Sequence, residues 1–183
     1  MISSIEGTAA ILGFWFDEIG PDRWWARSEE TDAAIVERFL PLWEEWRSRV
    51  PEGFLGSADE AVAGVILFDQ FPRNMFRHHA DAFSTDPLAL AIARGALDRG
   101  LDADMSPDQL SFLYMPFQHS EVLADQQRSL ALFTALGNAN SLDFAHKHHD
   151  MIAQYGRFPA RNAALGRPDR PGEAAAIKMS KNW

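Results

Sequence analysis

Apolar positions recur along the chain at spacings of three and four residues. The clearest run consists of large apolar side chains four, four, three and four positions apart: Ile35, Phe39, Trp43, Trp46 and Val50. This spacing lines one face of an α-helix and does not fit a β-strand. Because Pro41 lies inside the run, the pattern predicts a kink or a break near Leu40.

Signals for the starts and ends of helices divide the rest of the chain. Thr8 is the predicted cap of a first helix that ends before Gly20 and Pro21. Ser57-Ala58-Asp59-Glu60 is a capping box, and the helix that it begins is predicted to end at Pro72. Further helices are predicted over residues 88–99, 106–116, 121–136, 141–156 and 173–179.

Runs of alternating β-branched residues are absent from the sequence, which therefore predicts an all-α fold. Short connections favour antiparallel neighbours, arranged as a compact bundle or as an array of helical hairpins with about 8 helices. A chain of 183 residues is most simply one domain. We predict one domain over residues 1–183, with a less regular tail from about residue 167, where Pro and Gly accumulate.

The composition narrows the classes of function. A net charge of -9 would repel a nucleic-acid backbone, so nucleic acid is not an expected partner. No apolar run approaches the roughly 20 residues that span a bilayer, and no membrane association is expected. With no Cys and no apparent signal peptide, the sequence predicts a cytoplasmic protein. Metal-ligand spacings and Gly-rich phosphate loops are also missing, and neither a metal nor a cofactor is expected.

Two similar segments carry most of the candidate binding residues. Each places Arg and Asn close to a Phe-Pro pair: Asp69-Gln70-Phe71-Pro72-Arg73-Asn74 and Gly156-Arg157-Phe158-Pro159-Ala160-Arg161-Asn162. If their Arg side chains converge, the ligand is an anionic small molecule or an acidic peptide end, bound through carboxylate or phosphate. The alternative is structural, with Asp69 and Arg73 as an ion pair between helices and the later Arg residues as caps of helix C-termini.

Candidate catalytic residues are His119, Glu121 and His148. His119 is predicted to follow a break at Pro116 and to lie near the next helix N-terminus, where a neutral imidazole suits a base. A helix-cap or core histidine is the structural alternative. A hydrolase would use His119 or His148 as the general base, with Glu121 or Asp69 orienting it. A scaffold for other proteins, with exposed Trp side chains as anchors, is a third hypothesis.

Several motifs resemble the bacterial family catalogued as domain of unknown function 924. They are Leu67–Asn74, Phe83-Ser84-Thr85-Asp86, Phe112–Pro116, His119-Ser120-Glu121, Leu123-Ala124-Asp125-Gln126 and Gly156–Asn162. The resemblance extends from Ile11 almost to the end of the chain and implies a tetratricopeptide-like right-handed helical array. His148 and Asp150 match positions where the family carries a His and an Asp, while Ala160 replaces a frequent His. The resemblance implies no particular activity.

Overall fold

The computed structural model describes residues 4–179, which form helices joined by short loops. The α-helices are α1 (Ser4–Leu12), α2 (Glu29–Trp46), α3 (Ala58–Val65), α4 (Phe71–Met75), α5 (Asp86–Asp98), α6 (Pro107–His119), α7 (Leu123–Leu136), α8 (Ala139–Tyr155) and α9 (Glu173–Met179). Two π-helical segments, Gly13–Ile19 and Ile66–Gln70, continue α1 and α3. Between residues 4 and 179 there is no strand, and the all-α prediction is confirmed.

The chain divides into two compact units. Within the described residues, the first unit contains residues 4–77 together with Asp81–Pro116. The second contains His78–Ala80 and residues 117–179. The single domain over residues 1–183 stays a prediction, and its ends at residues 1–3 and 180–183 lie outside the described part of the chain. No helix within residues 4–179 is both long enough and apolar enough to cross a membrane.

The predicted cap at Thr8 is wrong, and of the kink or break predicted near Leu40 the break is absent. Thr8 lies inside α1, which begins at Ser4. α2 runs through Pro41 and is capped by Ser28, whose Oγ accepts the N–H of Thr31 at 3.2 Å. The apolar face of α2 is buried on both sides of the proline, and this packing outweighs the loss of one backbone hydrogen bond.

Two other prolines do not end helices, although the sequence predicted that they would. Pro72 follows the π-helical segment Ile66–Gln70 and lies in the first turn of α4, where a missing N–H costs little. α6 continues through Pro116 to His119. His119 is therefore the last residue of α6, and the predicted break at Pro116 is wrong.

Several boundary signals are confirmed. Ser57 Oγ accepts the N–H of Glu60 at 3.2 Å, and the Glu60 carboxylate accepts the N–H of Gly56 at 3.1 Å. Gly137 and Gly156 end α7 and α8 with φ angles of 77° and 68°, a left-handed conformation that glycine adopts without strain. The last helix, α9, has the predicted bounds.

Aromatic rings form much of the core of the first unit. Phe71 is fully buried, and its ring centroid lies 4.7 Å from that of Phe39 and 5.6 Å from that of Trp15. In the second unit, Phe158 packs with Met151 and Ile152 in a smaller apolar cluster. Both Phe-Pro pairs therefore anchor their segments through a buried Phe, which positions the Arg and Asn residues nearby.

Candidate functional site

Arg73 is held by two acids of the first unit. Its Nη1 and Nη2 donate to the two carboxylate oxygens of Asp86 at 2.9 and 3.0 Å. Nη1 also donates to the carbonyl oxygen of Asp69 and lies 3.5 Å from its carboxylate. Burial lowers the pKa of Arg73, but the charges of Asp69 and Asp86 outweigh it, so the net pKa is raised. The predicted Asp69–Arg73 ion pair is present, and it extends to the first residue of α5.

Asn74 is also engaged within the first unit. Its side-chain amide donates to Asp32 Oδ1 at 2.8 Å, and Arg77 binds the same carboxylate through Nε and Nη2. Burial by itself would raise the pKa of Asp32. The hydrogen bonds from Arg77 and Asn74 together outweigh burial, and the pKa lies below its ordinary value. Asp32 lies in the first turn of α2, where a carboxylate is also favoured by the helix dipole.

Arg157 and Asn162 bind a buried acid of the second unit. Arg157 donates from Nε and Nη2 to the two oxygens of Glu173 at 2.8 and 2.7 Å. Asn162 Nδ2 and the N–H of Arg170 donate to Glu173 Oε2 at 2.9 and 2.8 Å. Glu173 is the first residue of α9 and is 1% exposed. The predicted roles of Arg157 and Asn162 in ligand binding stay predictions.

Glu121 is paired with Arg167 in the same unit. Arg167 Nη1 donates to Oε2 at 2.7 Å, while Arg167 Nη2 and the N–H of Phe158 donate to Oε1 at 3.0 and 2.8 Å. Burial opposes ionisation of Glu121, but these hydrogen bonds and the charge of Arg161 outweigh it and lower its pKa. Glu121 is therefore an ionised residue that links the start of α7 to the second Phe-Pro segment.

Four other side chains of the second unit form what we call the His119 cluster: His119, His148, Phe158 and Arg161. The ring centroids of His119 and His148 are 6.1 Å apart. The His148 ring meets Phe158 edge-on at 5.3 Å, and the Arg161 guanidinium lies over Phe158, 4.5 Å from its centroid. Phe158 is buried, whereas both histidines and Arg161 are half-buried. The fold thus brings His148 and Arg161 onto one aromatic ring, with His119 beside His148.

The end of α6 is held by side chains. Arg161 Nη2 donates to the carbonyl oxygen of His119 at 3.0 Å. Gln126 Nε2 donates to the carbonyl oxygens of Gln118 and Ser120, each at 2.7 Å. Because the last carbonyls of a helix lack partners within the helix, these donors satisfy groups that would otherwise need water. Arg161 therefore caps a helix C-terminus, as the structural alternative predicted for the Arg residues of this segment.

The tautomer of His148 follows from its backbone contact. His148 Nδ1 lies 2.8 Å from the carbonyl oxygen of Phe144, one turn earlier in α8. Since a carbonyl only accepts, Nδ1 carries the proton and donates to it. Nε2 is then the nitrogen through which His148 gains or loses a proton.

Within residues 4–179, no three His, Asp or Glu side chains are grouped so that they could hold a metal ion.

The family of this chain is decided by a match that covers most of its length. A family model described as a bacterial protein of unknown function, DUF924, matches residues 11–180. The chain belongs to the DUF924 family. A solved structure of a protein of unknown function from Agrobacterium tumefaciens is 36% identical, with a TM-score of 0.90. The similarity covers 97% of this DUF924 chain and 99% of that protein. No curated protein matches the chain.

The ion pair of Glu173 makes a prediction about acid pH for this DUF924 protein. Hydrogen bonds from Arg157 lower the pKa of Glu173 to about 2 against the opposing effect of burial, and Arg170 and Asn162 add to the shift. Because the ordinary value is 4.5, the stability that this carboxylate contributes is complete above pH 4.5. We expect that contribution to be lost as the pH falls towards 2, and the carbon-13 resonance of the Glu173 carboxylate to titrate with a midpoint near 2.

The control for this titration is Arg157→Lys, which keeps the charge but removes the bidentate contact. The midpoint of Glu173 is then expected to move up towards 4.5. An unchanged midpoint in Arg157→Lys, or a midpoint of 4.5 in the unmodified DUF924 chain, would contradict the assignment of the shift to Arg157.

Sequence reasoning missed the acids that pair with the Arg residues of this DUF924 protein. From the sequence, Asp86 is placed only in a family motif and Glu173 only at a helix start, and Arg167 is not connected with Glu121. The available signal was an acid in the first turn of a helix, which also favours a nearby cation. The partners are 13, 16 and 46 positions apart, and no local pattern determines which Arg reaches which acid.

Proposed function

We propose that this DUF924 protein is a helical binding protein that holds the anionic group of a small molecule, or the acidic end of a peptide, at the His119 cluster. The observation that supports the proposal is the placement of His148 and Arg161 on the Phe158 ring, with the His119 ring next to that of His148. Arg73, Asn74, Arg157 and Asn162 are not part of this site, because their side chains bind acids of the chain itself.

The chemistry of the cluster suits a carboxylate or a phosphate. Imidazole and guanidinium N–H groups donate to oxygen anions, and such charge-assisted hydrogen bonds are stronger than neutral ones. The two imidazole centroids lie 6.1 Å apart, close enough for different oxygens of one carboxylate or phosphate to contact both rings. The buried Phe158 ring lowers the local dielectric on one side, which strengthens attraction between the anion and Arg161.

The test is a titration of the full chain with inorganic phosphate and with citrate, at constant ionic strength maintained with sodium chloride. We expect saturable shifts of the carbon-bound ring protons of His119 and His148. Arg161→Gln is expected to weaken binding by at least about ten-fold, which corresponds to one lost charge-assisted hydrogen bond. Circular dichroism of the variant checks that it remains folded.

The matched control is His146→Gln, an exposed histidine two positions from His148 on the same helix. It should leave the affinity for phosphate and citrate unchanged. Equal weakening by His146→Gln and Arg161→Gln would show that the anions respond to general charge rather than to the cluster. The absence of saturable shifts of the His119 and His148 ring protons at constant ionic strength would refute the proposed site.

A hydrolase that uses the same histidines is the second candidate. The specific observation in its favour is the hydrogen bond from His148 Nδ1 to the carbonyl oxygen of Phe144, which fixes the orientation of the ring and makes Nε2 its basic nitrogen. Glu121 is a poor orienting group because both of its oxygens are bound by Arg167 and Phe158. Hydrolysis of chromogenic phosphate or carboxylate esters that disappears in His148→Gln would make this the better assignment.

A further inference from the structure

A groove of about 400 Å³ lies in the first unit, beside the π-helical segment Gly13–Ile19. Phe16 and Asp17 of that segment line it, together with Trp24 of the following turn and Asp108 of α6. Its volume falls in the range of sites that bind small molecules. π-helical segments also recur at functional sites, because their wider turn changes which side chains face a cleft.

The aromatic side of the groove is held in place before any ligand binds. The rings of Phe16 and Trp24 meet at 85°, with centroids 5.6 Å apart. Trp24 Nε1 donates to the carbonyl oxygen of Trp15 at 2.7 Å, and its ring packs edge-on against Phe112 at 4.9 Å. Both rings are held by contacts within the protein, so binding costs little side-chain ordering.

The charged residues that line the groove are both acids, Asp17 and Asp108. The nearby N-terminus of α6 is closed by its own capping box. The N–H of Ser106 donates to Gln109 Oε1 at 2.9 Å, and the N–H of Gln109 donates to Ser106 Oγ at 3.2 Å. These backbone donors are used within the helix, and the groove is electrostatically suited to a cation rather than an anion.

We propose that this groove binds a small organic ammonium ion. The negative faces of Phe16 and Trp24 attract the methyl or methylene groups that carry the positive charge. The carboxylates of Asp17 and Asp108 neutralise that charge at the rim.

The test compares choline with 3,3-dimethyl-1-butanol, which has the same shape and no charge. Both are titrated into the full chain at constant ionic strength while the indole N–H signal of Trp24, assigned with Trp24→Phe, is followed by NMR. We expect a saturable shift with choline and no saturable shift with the neutral alcohol. The double variant Asp17→Asn/Asp108→Asn is expected to weaken choline binding by at least about ten-fold.

The matched control is Asp104→Asn, an exposed acid that does not line the groove. It should leave choline affinity unchanged, and the circular dichroism spectra of all variants should match that of the unmodified chain. Three results would overturn the proposal: equal binding of the neutral alcohol, equal weakening by Asp104→Asn, or no saturable shift with choline. The groove and the His119 cluster lie in different units and are probed with ligands of opposite charge, and either proposal can fail while the other stands.

Discussion

Arg73→Ala is expected to lower the free energy of unfolding by about 3–5 kcal/mol, because it leaves acids inside the first unit without their cation. Asp69 is fully buried, and the side chain of Asp86 is 17% exposed, so neither carboxylate recovers full hydration when the guanidinium is removed. Urea denaturation followed by circular dichroism measures this loss. The helical content below the transition should stay close to that of the unmodified chain.

Two variants separate the ion pair from general effects of removing an arginine. Arg128→Ala removes an exposed arginine of α7 and should change the free energy of unfolding by less than about 0.5 kcal/mol. Arg73→Ala combined with Asp86→Ala should cost less than the sum of the single changes, because the acid that lost its partner is also gone. If Arg73→Ala lowered the free energy of unfolding as little as Arg128→Ala, the ion pair of Arg73 would not be structural. That result would favour the predicted role of Arg73 in ligand binding.

Arg157→Ala is expected to lower the melting temperature by on the order of 10 °C, because Glu173 would remain buried without its bidentate partner. The effect should be concentrated in the second unit. Five tryptophans, at positions 15, 24, 25, 43 and 46, lie in the first unit, and Trp183→Phe provides a background in which fluorescence reports that unit alone. We expect circular dichroism in this background to show an earlier transition than tryptophan fluorescence.

The paired control is Arg157→Met combined with Glu173→Leu, which replaces the ion pair with apolar groups of similar length. Because a buried ion pair gains little over good apolar packing, this double variant should recover most of the melting temperature lost in Arg157→Ala. A double variant that melts as early as Arg157→Ala would show that the Arg157 side chain acts through other contacts, such as its hydrogen bond to the carbonyl oxygen of Pro168 at 2.8 Å.

Both Phe-Pro segments have the same structural role in this DUF924 protein. In each, a buried Phe anchors the segment, and an Arg beside it binds the acid that begins a later helix: Arg73 binds Asp86 of α5, and Arg157 binds Glu173 of α9. An acid in the first turn is stabilised by the helix dipole as well as by the guanidinium. This pairing supports the structural alternative for both Phe-Pro segments. Arg161 is the arginine of these segments that we assign to ligand binding.

Local signals predicted much of the fold. The capping box at Ser57 and the left-handed glycines Gly137 and Gly156 depend on hydrogen bonds within a few residues, and the structure has them where they were predicted. Helix breaks or ends predicted from the prolines at positions 41, 72 and 116 are absent from the structure. A proline penalty of a few kcal/mol is smaller than the stabilisation from a buried apolar helix face, and a π-helical register removes part of the penalty at Pro72.

The sequence by itself determined the all-α class, most helix boundaries and the chemical types of the polar residues. These depend on periodicity and on contacts between neighbours in the chain. Only the tertiary structure decided that Glu121 pairs with Arg167, that His119 ends a helix, and that His148 and Arg161 meet at Phe158. The physical reason is that many acids and arginines are chemically equivalent as partners, and the packing of the helices selects which of them come within hydrogen-bonding distance.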